Sequence, residues 1–490
     1  TACNEMINAA NISFGLCPLL SDGAIEAVLT AGSEAQKQTY IPRLLSGEWT
    51  GTMNLTEPQS GSDLALIRSR AEPQEDGRYK IFGTKIFITY GDHDFTENIM
   101  HLVLARTPNA PEGIKGISLF IVPKFLVNDD GSAGASNDVQ TLSLEHKLGI
   151  KASPTAVLQF GDHGGAVGEL VGQENHGLEY MFIMMNAARF GVGLQGIGNM
   201  ERAYQHAVQY AKERVQSRPV DGSSREAVAI IHHPDVKRML LTMKSTAEAC
   251  RAMAFHTAGL QDLAHHHPDE VTRTQAQAQF EFMVPLVKGY STEMSVEMAS
   301  LGVQVHGGMG FIEETGAAQY YRDARILPIY EGTTAIQAND LVGRKTLRDG
   351  GAVAEQFATQ IDASVVQLAA QNKAVFETMA GGLVQANAAF RQVVAFVLAN
   401  SKTAPNEVFA GSVLYLKLAG LVVSAWHSAR AALAAQAQLD VGNGDVDFLN
   451  GKIATAAFYI QSVLPQAQGW AQSIVHAGDV TGNFNVAYFD

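Results

Sequence analysis

The chain has 490 residues, 46% of them hydrophobic and 17% charged, enough for two or three domains with sizeable buried cores. A net charge of -14 argues against nucleic acid or an anionic membrane as the main partner. Cys3, Cys17 and Cys250 form neither a metal-ligand spacing nor an even disulfide framework, so a reducing, cytoplasmic location is expected. No apolar run is expected to cross a bilayer, and no signal peptide is expected. The sequence starts at Thr1 inside a helical pattern, so an N-terminal piece is expected to be missing.

Residues 1–50 read as helical. Ser33-Glu34-Ala35-Gln36 has the spacing of a capping box, and Pro42 punctuates the stretch. From about 51 to 172 the period changes to short strand-like runs: 79–83, 85–89, 101–105 and 117–122. Asp76-Gly77 and Gly91-Asp92 separate them as turns, so a compact β domain is expected. Asn128 to Asn137 reads as a polar, exposed loop. After Gly177 apolar residues recur at three- and four-residue steps over 178–216, 236–264 and 272–301. Arg348 to Gly351 reads as a linker. Residues 352–490 read as Ala-, Gln- and Val-rich helices with breaks at Gly381-Gly382, at 404–406 and at 442–444.

Several segments could carry chemistry. Thr56 to Asp63 is a small polar loop, either a plain Asx/Ser turn or a cradle of N–H and hydroxyl groups for a phosphate or a polar ring edge. Gly191-Val192-Gly193-Leu194-Gln195-Gly196 has the spelling of a dinucleotide fingerprint, but it lies inside a helical pattern with no strand before it, so close helix packing is expected. Gln304 to Phe311 is Gly-rich, either an interhelical turn or a place where backbone meets a flat ligand. His232-His233 and His265 to His267 lack companion ligands at helical spacing and read as solvated, not as a metal site. Arg214, with Arg218 beyond it, either complements a helix dipole or pairs with a phosphate. Glu331 stands in the turn Ile329-Tyr330-Glu331-Gly332-Thr333-Thr334, after Leu327 and Pro328. Apolar neighbours there would exclude water and lift a carboxylate toward the range where a general base works, and Gly332 leaves room for a ligand. Alone, this is equally a satisfied carboxylate at a helix end.

Taken together and in order, MNLTEPQSGSD (53–63), KIFIT (85–89), NAARFGVG (186–193), ERVQ (213–216), QVHGGMGF (304–311), RDARI (322–326) and YEGTTAIQ (330–337) resemble the acyl-CoA dehydrogenase family over roughly residues 1–345. The runs 116–131 and 340–346 and the extra helices look like its longer subgroup, which includes methylmercaptopropionyl-CoA dehydrogenase. The resemblance implies an α+β fold. Its parts would be the remainder of an N-terminal helical domain (1–50), a central β domain (51–172), a four-helix bundle domain (173–347) and a C-terminal helical extension (352–490). FAD would bind between β domain and bundle.

The same resemblance assigns roles. Glu331 matches the catalytic base; Ala188 occupies the position where some relatives carry it instead. Met53, Leu55, Thr56, Gly61 and Ser62 match the segment along the flavin ring, with Ser62 also near the pyrophosphate and the CoA moiety. Phe87, Ile88 and Thr89 match the triplet against the flavin, Thr89 near its N5. Asn186 and Arg189 match contacts to the CoA arm, and Gly332 would border the substrate. Gln304, Gly307 and Gly308 match residues reaching a neighbouring subunit's FAD adenosine half, Arg214 the arginine at its pyrophosphate, and Thr333 a further FAD contact. Three positions depart from the family's pattern: Phe87 stands where many members have Trp, Ser217 where Phe is usual, and Pro234 where some members use Gln.

The implied reaction is α,β-dehydrogenation of an acyl-CoA to a trans-2-enoyl-CoA. An electron-transferring flavoprotein would be the acceptor and a homo-oligomer, dimer or higher, the working form. Nucleic acid and stable membrane insertion are not expected. Alternatives on the same scaffold are an acyl-CoA oxidase or a binding protein without dehydrogenase activity. The acyl chain cannot be read from the motifs.

Overall fold

The structure is a computed structural model describing residues 1–490. Helices α1 (Ala2–Ala10), α2 (Ile12–Ala31) and α3 (Glu34–Ser46) open the chain. Strands follow: β1 (Trp49–Asn54), β2 (Arg70–Pro73), β3 (Tyr79–Thr89), β4 (Asn98–Ala105), β5 (Ser118–Pro123), β6 (Phe125–Val127), β7 (Ala133–Ser136), β8 (Val139–Leu144), β9 (Thr155–Phe160) and β10 (Ala166–Val171). The rest is helical: α4 (Gly177–Glu213), α5 (Pro234–His266), α6 (Glu270–Pro285), α7 (Ser291–His306), α8 (Ala317–Ala324), α9 (Thr334–Asp340), α10 (Ala352–Ala369), α11 (Ala374–Asn400), α12 (Pro405–Ala410), α13 (Ser412–Asp440), α14 (Val446–Phe458) and α15 (Gln466–Gly482). Two compact units result. One comprises residues 11–191, the other residues 1–10 with 192–490.

The 11–191 unit is built on an eight-stranded sheet in the order β1-β4-β5-β10-β3-β9-β8, with β2 added beside β3. β1 and β4 run parallel; β4, β5, β10, β3, β9 and β8 pair antiparallel in turn. On one face Leu20, Ala24 and Val28 of α2 and Tyr40 and Leu44 of α3 share a core with Trp49, Met53, Leu102 and Leu104. Gly51 lets α2 sit this close: a Cβ there would lie 2.5 Å from that of Ala24. The expected capping box is present, Gln36 N–H donating to Ser33 Oγ at 3.2 Å and Ser33 N–H to Gln36 Oε1 at 3.0 Å.

In the second unit, α6 and α7 are one helical run interrupted by a π turn over Leu286–Tyr290. Close helix packing explains the glycine series in α4. A Cβ on Gly193 would stand 2.6 Å from Val287 Cγ1 and 2.7 Å from its carbonyl oxygen, and one on Gly196 3.0 Å from the Ser291 carbonyl oxygen. The fingerprint spelling is therefore a packing seam.

Three expectations need correction. Residues 128–137 are not a loose loop: β6 and β7 form a hairpin, closed where Asp130 Oδ1 accepts from Ser132 N–H at 2.9 Å and Gly131 takes a left-handed φ of 79°. Gly381-Gly382 does not break the helix but lies inside α11, where a Cβ on Gly382 would be 2.7 Å from Ile460 Cγ2, so close packing rather than chain reversal asks for glycine. Three helices are, against expectation, long and apolar enough to cross a membrane: Ile12–Ala31, Ala374–Asn400 and Ser412–Asp440. Their apolar windows are 61%, 44% and 78% buried within the protein, so core packing accounts for much of that character in α2 and α13, less in α11.

Gly193→Ala should lower stability by about 1–3 kcal/mol, the cost of overpacking against backbone that cannot yield. Thermal unfolding of the two proteins measures it.

Candidate active site

In the 11–191 unit the segment after β1 turns sharply, Glu57 and Ser60 exchanging both backbone hydrogen bonds at 2.9 and 3.0 Å. Its anchor is a buried ion pair: Lys85 Nζ, fully enclosed, donates to Glu57 Oε1 at 2.8 Å and to the Leu55 carbonyl at 3.1 Å. Glu57 also accepts from the N–H groups of Arg68 and Ser69 at 2.8 and 3.1 Å and from Ser69 Oγ at 2.6 Å. Burial pushes the Glu57 carboxyl up, but Lys85 and these donors outweigh it and leave it at about 2. Burial pushes Lys85 down to about 8 against the opposing pull of Glu57, so both stay charged at neutral pH.

Around this anchor the sequence-predicted residues gather. Thr56 is partly exposed, Gly61 and Ser62 exposed, and the Thr56 carbonyl accepts from Ile86 N–H at 2.9 Å, tying the loop to β3. β3 shifts register between Lys85 and Ile88, and Phe87 within that bulge holds a left-handed φ of 60° with 59% of its surface exposed. Thr89 is partly exposed beside it, whereas Met53 and Ile88 are buried in the cores. On the first part of α4, Asn186 is exposed and Arg189 is buried with its guanidinium 6.0 Å from the Phe182 ring.

In the second unit Glu331 is partly exposed and also left-handed, φ 53°, with Gly332 following at 89°. A non-glycine residue there costs about 1–2 kcal/mol, so the surroundings must impose it. They do so at both ends. Tyr330 donates its hydroxyl to Gln195 Oε1 of α4 at 2.5 Å; burial, then Glu331 and Asp323, push its phenol well above the usual range and keep it a donor. Thr334 N–H donates to the Pro328 carbonyl at 3.0 Å, and its hydroxyl to Glu293 Oε1 at 2.6 Å. Thr333 Oγ1 caps α9 by accepting from Ile336 N–H at 3.3 Å. Lys288, fully buried on the π turn, donates to the carbonyls of Leu327 at 3.0 Å and Gly332 at 2.5 Å.

Arg214, Gln304, Gly307 and Gly308 lie exposed at one end of the bundle. The Tyr210 and His306 rings, 4.4 Å apart, bring the ends of α4 and α7 side by side. A Cβ on Gly307 or Gly308 would meet nothing within 4 Å, so this backbone is open. The donor set fits FAD. Exposed Phe87 on β3 and the open hydroxyls of Thr89 and of Thr56 and Ser62, on the loop tied to that strand, suit a flat ring with polar edges. An exposed guanidinium beside bare glycines suits a pyrophosphate and adenosine.

Sequence reading missed Lys85, Lys288 and Gln195. The two lysines did leave a signal: each is a lone charge in an apolar run, KIFI and PLVKGY. Only a buried partner makes such a position tolerable. Gln195, inside a glycine-rich helix, left none.

Family models match three stretches: "Acyl-CoA dehydrogenase, middle domain" over 52–163, "Acyl-CoA dehydrogenase, C-terminal domain" over 175–346 and "Acetyl-CoA dehydrogenase C-terminal like" over 355–483. The chain is 56% identical to the 3-methylmercaptopropionyl-CoA dehydrogenase of Ruegeria pomeroyi over 98% of its own length and 80% of that protein's. It is 37% identical to a butyryl-CoA dehydrogenase of Syntrophomonas wolfei over 95% of this chain and 77% of that one. In fold it is similar to an acyl-CoA dehydrogenase complexed with FAD from Bacillus anthracis, with a TM-score of 0.76 and 22% identity over 97% of this chain and 77% of the other.

A folded-state carboxyl at about 2, below its ordinary 4.5, contributes stability that is complete above 4.5 and is lost as pH falls through about 2. Glu57→Gln should therefore cost about 3–5 kcal/mol at pH 7, through the unpaired ammonium, and show a flatter fall of Tm across that acid window. Tm against pH for the two proteins checks both.

Proposed function

This chain belongs to the acyl-CoA dehydrogenase family, and from that premise we propose that Glu331 is its base and a short acyl-CoA thioester its substrate. It is an FAD-dependent oxidoreductase that dehydrogenates an acyl-CoA. FAD, when bound, takes up the hydride lost from the substrate β-carbon. Glu331 takes the proton from the α-carbon, and the two electrons of that C–H bond become the new double bond of the trans-2-enoyl product. Its backbone N–H donates to the thioester carbonyl, where negative charge develops as the proton leaves. Gly332 has no side chain to obstruct the thioester.

The observation that carries this reading is the left-handed, multiply anchored turn at Glu331, strain of the kind kept at working sites. In the same reading Met53, Leu55, Thr56, Gly61, Ser62, Phe87, Ile88, Thr89 and Thr333 border the flavin, with Ser62, Asn186, Arg189 and Gly332 along the CoA thioester. The division at 50, 172 and 347 belongs to it too.

Substrate size is argued from the relatives: a methylthio-propionyl chain places sulfur where a pentanoyl chain has a methylene, one atom longer than butyryl, so a pocket for short chains suits both. A homo-oligomer is supported by Met309 and Phe311, 51% and 84% exposed beside the open glycines; Arg214, Gln304, Gly307 and Gly308 would serve a second copy's FAD there. We also assign an electron-transferring flavoprotein as acceptor, a place in acyl-chain β-oxidation or its sulfur-containing counterpart, and a cytoplasmic location without stable membrane insertion.

Anaerobic bleaching of the flavin band by a panel of acyl-CoAs tests this. 3-(Methylthio)propionyl-CoA and butyryl-CoA should bleach fastest, and Glu331→Gln should keep flavin yet lose about 10²–10⁴-fold in rate. A flavin-loaded protein that no acyl-CoA reduces would refute the reading.

A further inference from the structure

We propose that Lys288 is the positioning residue of the base, and that the C-terminal helices hold Lys288 in place. The inference rests on the assignment of Glu331. Lys288 Nζ reaches the turn on both sides of that residue, accepted by the Leu327 carbonyl before it and the Gly332 carbonyl after it. A fully buried ammonium cannot turn to water, so these carbonyls must stay aimed at it. With the Leu327 and Gly332 carbonyls fixed, the intervening residues close as a tight turn, and Glu331 is held at its positive φ.

The lysine is placed by an unusual piece of helix. The π turn over Leu286–Tyr290 widens the coil, and π turns of this kind recur at functional sites. Thr292 Oγ1 donates to the Lys288 carbonyl at 2.7 Å and to that of Gly289 at 3.2 Å, holding the widened turn. The outer side of the turn is packed by the extension. A Cβ on Gly289 would be 2.8 Å from Leu416 of α13, and one on Gly420 of α13 would be 2.4 Å from the Tyr290 ring. The Tyr290 hydroxyl lies 2.9 Å from that of Tyr459, which lies 3.0 Å from Ser424 Oγ. Tyr459 to Tyr290 and Lys288 to Gly332 are hydrogen-bonded links, and Tyr290 and Lys288 are joined through the one five-residue π turn that carries both.

The test compares Lys288→Met, Lys288→Gln and Tyr459→Phe with the parent holoenzyme. Rates are read per bound flavin, with acyl-CoA Kd and the pH profile of flavin reduction. Displacing a base by about an ångström costs about 100-fold, so Lys288→Met should lose that much in reduction rate, with Kd changed less than about threefold and a displaced pH profile. Lys288→Gln, which keeps a donor for one carbonyl, should recover part of the rate, and Tyr459→Phe should lose a few-fold. A parent-like rate per flavin in Lys288→Met, or loss of flavin by both Lys288 variants, would make the lysine a folding residue and overturn the proposal. A parent-like rate in Tyr459→Phe would remove the extension from it. Failure of the parent itself to be reduced would instead count against Glu331 chemistry as a whole.

Discussion

A buried ammonium must be given oxygen atoms, and two such ammoniums organise this protein. Lys85 gathers the Leu55 carbonyl and the Glu57 carboxylate; Lys288 gathers the carbonyls of Leu327 and Gly332. Each cation is inside the protein and each of its partners lies in a loop bearing predicted site residues. An isolated charge removed from water costs many kcal/mol, so neither loop can move away without exposing the molecule to a large penalty. What the interaction confers is a single loop geometry.

That rigidity supports strain. Phe87 and Glu331 both hold left-handed backbone, one in a strand bulge and the other in a turn between helices. Neither conformation is one its side chain prefers: Phe87 stands two residues after buried Lys85, and Glu331 one residue before the carbonyl that buried Lys288 holds. Tyr330, whose phenol stays protonated against Gln195, adds a second fixed point to the Glu331 turn. Sites that must present a group in one orientation are built in this way, with the cost carried by the scaffold.

Much of this was legible in the sequence. The helix–strand–helix order followed from the change in hydrophobic period, and the Ser33 capping box from three-residue spacing. Rejection of the 191–196 glycines as a nucleotide fingerprint followed from their helical context, and the contacts of Gly193 and Gly196 give the packing reason. Glu331 stood out through its apolar, glycine-flanked turn. What could not be read was long-range. The hairpin through Asn128–Ser136 depends on a local turn that polar composition hides, and Gly381-Gly382 looked like a break because glycine spells both a reversal and a close approach. The apolar character of α2 and α13 was underrated for the related reason that a core helix and a membrane helix share composition. Lys288 and Glu331 are 43 positions apart in sequence and Tyr459 lies farther still, so no local pattern could have joined them.

The seam between the π turn and α13 also limits which parts can be exchanged. Gly289 and Gly420 are complementary notches: one receives Leu416, the other the ring of Tyr290. A bulkier residue in either notch separates the helices, and loss of α13 lays bare the Tyr290 ring and Gly289. The extension is thus packed into the bundle as part of its structure. A chimera that replaces one face of the seam has to replace the other with it, because each notch is cut to the side chain opposite.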